Sequence, residues 1–299
     1  IDSKRISSFQ KAAGTALNKY RQYVQSDKIS WTVIASPSQA WAAKVFPALP
    51  ENEQVDALWD AIFKATRSDL ADPIAEWTKH NDTLHEKVDY LNKKNYTKLH
   101  YTAPGTDLTI ELPKGHLWCG AGSVNEKGDS FMANMPTEEV FTVPHKDGVN
   151  GYVSSTKPLS YGGNIIDNFK ITFENGRIVK IEAEQGEEVL KNLVASDEGS
   201  HYLGEVALVP HHSPISNSGL LFYNTLFDEN ASNHLAIGSA YAFCLEGGKT
   251  MDREQLLANG LNQSITHVDF MIGSAEMNID GITADDQTEP VFRNGNWAF

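Results

Sequence analysis

His267-Val-Asp269 puts an imidazole and a carboxylate two positions apart in a strand-like run, Thr266 to Ile272, bounded by Gly273-Ser274. In extended chain, alternate residues share a face, so His267 and Asp269 project together while Val268 and Phe270 project opposite. Such a pair can reach one metal ion or two adjacent ones. Without a metal it would be a polar strand face holding a partly solvated ion pair. Glu205 raises the same question, because it interrupts the apolar run Leu203-Gly-Glu-Val-Ala-Leu-Val-Pro210. An unpaired buried carboxylate is costly, so an acid there calls for a cation or a metal. Glu138-Glu139, in Asn134-Met-Pro-Thr-Glu-Glu-Val-Phe-Thr142, poses it twice. If that run is extended, the two acids face opposite ways, and the residues alone do not choose between them.

His234 lies in Asn230-Ala-Ser-Asn-His-Leu-Ala-Ile-Gly-Ser-Ala-Tyr241. Read as a helix over Ala231–Phe243, with Asp228-Glu229 near its start, the segment puts His234 and Tyr241 about two turns apart on one face. Small residues beside them, Ala236, Gly238 and Ala240, would allow close approach to a site. The whole set is two histidines, one aspartate and two or three glutamates, with no thiolate. That mixture suits zinc, cobalt or manganese, and suits hydrolysis better than a structural role. Two ions need a bridging carboxylate, and Glu205 is the best candidate as the most isolated acid in an apolar strand. Paired ions would activate a bridging water and polarise a scissile carbonyl. His211-His212 is a weaker signal, since it occupies a Ser/Pro/Asn-rich stretch. The sequence contains no Gly-x-Gly-x-x-Gly, P-loop, Gly-x-Ser-x-Gly or His-Glu-x-x-His motif, which argues against dinucleotide enzymes, kinases, serine hydrolases and zincins.

The elements that must position these residues change in texture along the chain. Ile6, Phe9, Ala13, Leu17 and Tyr20 recur at helical spacing. Trp31-Thr-Val-Ile-Ala35 reads as a strand, and a turn at Ser36-Pro-Ser leads to a helix over Gln39 to Val45. A second helix carries Val55, Leu58, Ile62 and Phe63 on one face. A third starts at Asp72-Pro73, an N-cap followed by an N1 proline, and runs through Trp77 to Leu91. From Leu99 onward strands and tight turns dominate, with an Asn175-Gly176 hairpin signal between Phe169–Phe173 and Ile178–Ile181. Helix is expected again at Glu187–Ala195. The fold class is therefore α/β plus α+β. A helical α/β part, residues 1–95, precedes a mixed α+β part, residues 96–299, that holds every candidate ligand.

The 299 residues suffice for a sizeable core. A formal net charge of −14, with no Lys/Arg cluster, disfavours nucleic-acid binding. No apolar run is long enough to span a bilayer. Cys119 and Cys244 have no Cys-x-x-Cys spacing, which excludes a thiolate zinc site and points to free thiols in a cytoplasmic protein.

Four segments then resemble one family: Asn134–Thr142, Gly204–Pro210, Leu226–Tyr241 and His267–Gly273. They are similar to the bacterial metallo-aminopeptidases that include aminopeptidase S, aminopeptidase T and PepS. The likeness extends to Trp31–Ala35, Trp59-Asp-Ala-Ile-Phe-Lys-Ala-Thr-Arg67 and Gly105–Thr109, and so covers the whole chain. It implies removal of N-terminal residues from peptides by a metal-bridging hydroxide. The implied ligands of two divalent ions are Glu139, Glu205 as the bridge, His234, His267 and Asp269. Tyr241 would assist the transition state, and Glu138, next to a ligand without being one, would be the general base. The resemblance also implies a homodimer and a further N-terminal segment, with Ile1 matching an internal position. The rival reading is a truncated, non-catalytic peptide-binding or dimerisation module.

Overall fold

The computed structural model of the chain describes residues 12–13, 16–25 and 27–299. Most of the first expected helix, including Ile6 and Phe9, lies outside them; its described end is α1, Asn18–Gln25. Trp31–Ala35 forms no regular strand and contributes a single parallel bridge, Val33 to Asn134. The next three helices form as the sequence predicts: α2 (Gln39–Val45), α3 (Glu51–Ala65) and α4 (Pro73–Lys94). Ser38 caps α2 by accepting the Trp41 N–H, and Asp72 caps α4 by accepting the Ala75 N–H. Helix α4 stops at Asn95, whose left-handed backbone asparagine tolerates well.

Strand replaces helix from there. In chain order come β1 (Lys98–Ala103), β2 (Thr106–Glu111), β3 (Cys119–Gly120), β4 (Ser123–Val124), β5 (Ser130–Phe131), β6 (Val140–Thr142), β7 (Val149–Ser154), β8 (Leu159–Tyr161), β9 (Asn164–Glu174) and β10 (Arg177–Gln185). Helix α5 (Glu187–Val194) precedes β11 (Leu203–Leu208), and two short helices follow, α6 (Pro214–Ser218) and α7 (Thr225–Asp228). The chain closes with β12 (His234–Gly238), α8 (Arg253–Ala258), β13 (His267–Met271), β14 (Asn278–Ile282), β15 (Thr288–Arg293) and β16 (Asn296–Trp297). Among the described residues no helix is long and apolar enough to cross a membrane.

The larger sheet runs β10-β9-β7-β2-β1-β14-β15-β16, with β8 on β9. Its β9–β10 hairpin turns at Asn175 and Gly176, both at positive φ, as a two-residue primed turn requires. The smaller sheet has the order β13-β12-β11-β6-β3, with every neighbouring pair antiparallel. One hydrophobic core joins the two sheets. Leu99, Tyr101, Leu108 and Ile110 of the larger meet Val206, Leu208, Leu235, Ile237 and Phe270 of the smaller, with Leu84, Leu91 and Leu190 from helices.

The expected helix over Ala231–Phe243 is not there. Residues 234–238 are strand, flanked by single 3-10 turns at Glu229–Ala231 and Ala242–Cys244. The physical reason is position: β12 is paired on both sides, by β11 and β13, and is buried along its whole length. Leu235 and Ile237 fill the core on one face, a period of two that the helical spacing of His234 and Tyr241 obscured.

The chain packs as two compact units. One comprises Ala35–Ala121 and Pro136–Phe299, and the other Gly122–Met135 with the described part of Ile1–Ile34. The change of texture at residue 95 falls inside the larger unit. There α2 and α3 bury Ala42, Leu58, Ile62 and Ala65 against Ile215, Phe222, Phe227 and Ala231, far along the chain. In the smaller unit Trp31 and Phe131 lie 6.1 Å apart between ring centres.

Candidate metal centre

The smaller sheet presents the candidate ligands on one face because its register aligns them. Glu205 pairs with Ala236, and Ala236 with Asp269, so these three share one rung of β11, β12 and β13. His267 stands opposite Gly238, and His234, two residues before Ala236, projects to the same side. Glu139 immediately precedes β6, two positions before Phe141, which pairs with Ala207. Glu205 of β11, His267 and Asp269 of β13, and His234, Ala236 and Gly238 of β12 thus lie on the cluster side, a bulge after Leu203 leaving that residue in the core. Their neighbours Val206, Leu235, Ile237 and Phe270 face the core.

Small residues keep the middle of the rung open. Ala236 separates Glu205 from Asp269 with a single methyl group. Gly238 has φ of +114°, and a Cβ there would come 2.3 Å from the Thr266 carbonyl oxygen. Only glycine fits both that backbone and that approach.

The side chains converge. His234 Nε2 lies 3.1 Å from Glu139 Oε2 and 3.7 Å from Glu205 Oε1. His267 Nε2 lies 3.2 Å from Glu205 Oε2 and 3.4 Å from Asp269 Oδ1. Two triads able to hold a cation result, Glu139–Glu205–His234 and Glu205–His267–Asp269, each with ligand atoms within 4.8 Å of one another. Glu205 belongs to both. Each imidazole is oriented from behind: His234 Nδ1 donates to the Ser232 carbonyl at 3.2 Å, and His267 Nδ1 to the Ser239 carbonyl at 2.8 Å. Each Nε2 is thereby left aimed into the cluster, the arrangement that metal-binding histidines need. The donor set of oxygen and imidazole nitrogen fits a divalent ion in each triad.

Electrostatics show what the cluster costs. Burial opposes charge on Glu139, Glu205, His234 and His267. Even so, Glu205 is driven down to about 2, because burial is outweighed by hydrogen bonds to His234 and His267. His267 is driven up to about 11, burial being outweighed by Asp269 and Glu205, and His234 is raised by Glu139 and Glu205 against burial. Glu139 is raised, chiefly by burial. Positive charge is what this face demands, from protons or from metal ions.

Tyr241 reaches the cluster without the expected helix. Its ring centre lies 4.8 Å from that of His267, and it stacks on Phe243 at 5.2 Å. Burial, then the charges of Glu205 and Asp269, push its hydroxyl pKa up, so it keeps its proton. Glu138 goes elsewhere. Both its oxygens accept from Arg67, Oε1 from Nη1 and Oε2 from Nη2 at 2.9 Å. A carboxylate clamped by a guanidinium is not free to take a proton from water, which argues against the general-base role. His211 and His212 lie 5.8 Å apart between ring centres and join neither triad.

One acid escaped the sequence argument. Glu229, read there only as a helix-start residue, is partly buried beside the cluster. Burial first, then the charges of Glu139 and Asp269, raise its pKa well above the usual carboxylate range. The sequence offered little signal for it, since Glu229 stands between two polar residues, Asp228 and Asn230.

The profile of the thermophilic metalloprotease family M29 matches residues 1–297. The chain belongs to the M29 metalloproteases. Aminopeptidase AmpS of Bacillus subtilis is 71% identical over 299 residues, all of this chain and 73% of the relative. Aminopeptidase T of Thermus thermophilus is 46% identical over 297 residues, covering 99% of this chain and 72% of its own length. The solved structure of wild-type AmpT from Thermus thermophilus superposes with a TM-score of 0.93 at 44% identity, covering all of this chain and 72% of that one. A dihydroxypyridine dioxygenase from Pseudomonas putida shares the fold alone, with a TM-score of 0.54 at 14% identity. Membership makes the M29 chain a metal-dependent hydrolase, and its mixed α+β architecture is that of the Thermus enzyme.

Proposed function

We propose that this chain is an aminopeptidase that hydrolyses the N-terminal bond of peptides with two divalent ions, zinc, cobalt or manganese. Glu139, Glu205 and His234 would hold one, and Glu205, His267 and Asp269 the other. The reading rests on Glu205 being common to both triads, the requirement for a shared bridge. It is supported by the aminopeptidases among the relatives. Two ions bound there would lower the pKa of a shared water and polarise the scissile carbonyl.

The chain's own groups supply the rest. Tyr241, protonated and against His267, donates a hydrogen bond to the oxyanion that forms on the attacked carbonyl. Glu229, whose charge burial and the neighbouring acids disfavour in the metal-free cluster, would ionise beside bound cations and then meet the peptide's α-ammonium. Phe141 and Phe243 pack around Tyr241 and limit water at the reacting centre. The same reading carries a homodimer at work in the cytoplasm.

The test pairs metal content with turnover. The protein is stripped of metal, reloaded with zinc, cobalt or manganese, and offered leucine p-nitroanilide and its N-acetylated form. Two ions per chain and cleavage of the free-amine substrate alone are expected. A chain that binds no divalent ion and cleaves neither compound would be a binding module instead.

A further inference from the structure

Two adjacent glutamates, Glu138 and Glu139, are both buried beside a cluster that takes only the second. What separates them lies 71 residues upstream of Glu138, at the end of α3. There the Ser68 N–H donates to the Phe63 carbonyl at 2.8 Å, and the Arg67 N–H to the Lys64 carbonyl at 3.2 Å. This is the Schellman pattern, which puts Arg67 at the left-handed position that glycine usually takes. Arg67 has φ of +57°. An L-residue pays roughly 1–2 kcal/mol for that conformation, and the backbone gains nothing from a long side chain there. The side chain must therefore be used, and its guanidinium makes the two-point contact with Glu138.

The surroundings fix that contact from every side. Trp77 of α4 donates from Nε1 to the Thr66 carbonyl at 2.7 Å, and its ring lies 5.8 Å from the Arg67 guanidinium carbon. His80 Nε2 donates to the Thr137 carbonyl at 2.8 Å and stands 3.6 Å from Glu138 Oε2. The Glu138 N–H donates to Asn230 Oδ1 at 2.7 Å, and Asn230 is fully buried. Residues 137 and 138 are thus held by side chain, carbonyl and amide at once, immediately before Glu139.

We infer that Arg67 is a positioning residue of the metal centre: by capturing Glu138 it keeps that acid off the cluster and turns Glu139 into it. The bidentate fork matters here, because a lysine could neutralise Glu138 without fixing its orientation. The inference rests on the metal-centre reading above, and its test separates the two.

The metal-stripped full chain is titrated with Zn2+ alone by calorimetry, at a temperature where circular dichroism shows each variant folded. Arg67→Met should bind Zn2+ about 10–100-fold more weakly, the usual scale for losing an orienting partner of a ligand. Its kcat on leucine p-nitroanilide should fall with the affinity while KM changes little. Arg67→Lys should fall between Arg67→Met and the unaltered chain. If Arg67→Met does not fold, Arg67→Lys and Glu138→Gln, which keep the volume at the site, answer the same question. A purely structural pair would lower only the melting temperature. Folded variants with unaltered Zn2+ affinity and kcat would therefore overturn the inference. If the unaltered chain itself binds no Zn2+, the metal-centre reading fails and this inference with it.

Discussion

The two sheets use the same antiparallel pairing but opposite rules for polar residues. In the larger sheet, polarity goes where water is. Leu99 and Tyr101 of β1 are buried while His100 and Thr102 between and beside them are not, and β2 and β9 alternate in the same way. Its charged pairs, such as Lys98–Glu111 and Lys180–Glu182, are solvent-exposed. In the smaller sheet, β11 and β12 are buried at every residue, and one of the two dry faces is lined with acids and imidazoles. The larger sheet is thus organised for stability. The smaller gives up stability on one face, where like charges are crowded, and keeps it on the other, where Val206, Leu235, Ile237 and Phe270 pack. A catalytic centre and a scaffold can therefore be told apart by where burial and charge coincide.

Four substitutions break or sharpen that contrast. Glu205→Ala removes the carboxylate common to both triads, so metal content should fall from two ions to one at most and turnover to background. Elemental analysis with the p-nitroanilide assay reads both. Retention of two ions would take the bridge away from Glu205. Phe173→Ala, in the core of the larger sheet, should do the reverse. About 3–5 kcal/mol of stability is expected to be lost, seen by urea unfolding, with metal content and kcat of the folded protein unchanged. Tyr241→Phe keeps the ring against His267 and removes one donor. Turnover should fall roughly a hundredfold at constant metal content and KM, and a wild-type rate would reduce Tyr241 to packing. Lys180→Ala breaks a solvent-exposed pair of the larger sheet and should shift stability by less than about 1 kcal/mol. A larger shift in urea unfolding would show that the sheets are less distinct than proposed.

Much of this was legible in the sequence where the deciding interactions are local. Asp72-Pro73 marks a helix start because an N-cap acts within one turn. Asn175-Gly176 marks a hairpin because the turn demands positive φ at two consecutive residues. His267 and Asp269 share a face because alternation is a property of any strand. Glu205 stood out because a carboxylate in an apolar run needs a partner wherever the run ends up.

Tertiary structure decided the rest, and each case turns on a partner distant in the chain. His234–Gly238 is a short apolar run that local pattern leaves open between helix and strand. It became strand because β11 and β13 satisfy its backbone on both sides. Glu229 drew no attention as part of a helix start and came to the cluster only when the chain folded. Glu138 and Glu139 are the same residue type on neighbouring positions, so no local rule ranks them. Arg67 and Asn230 hold Glu138, and His234 meets Glu139. Sequence determines which groups can carry charge and how they alternate along an element. Which of them share a dry site depends on packing between distant segments, where the cost of burying a charge is met only by the neighbours the fold supplies.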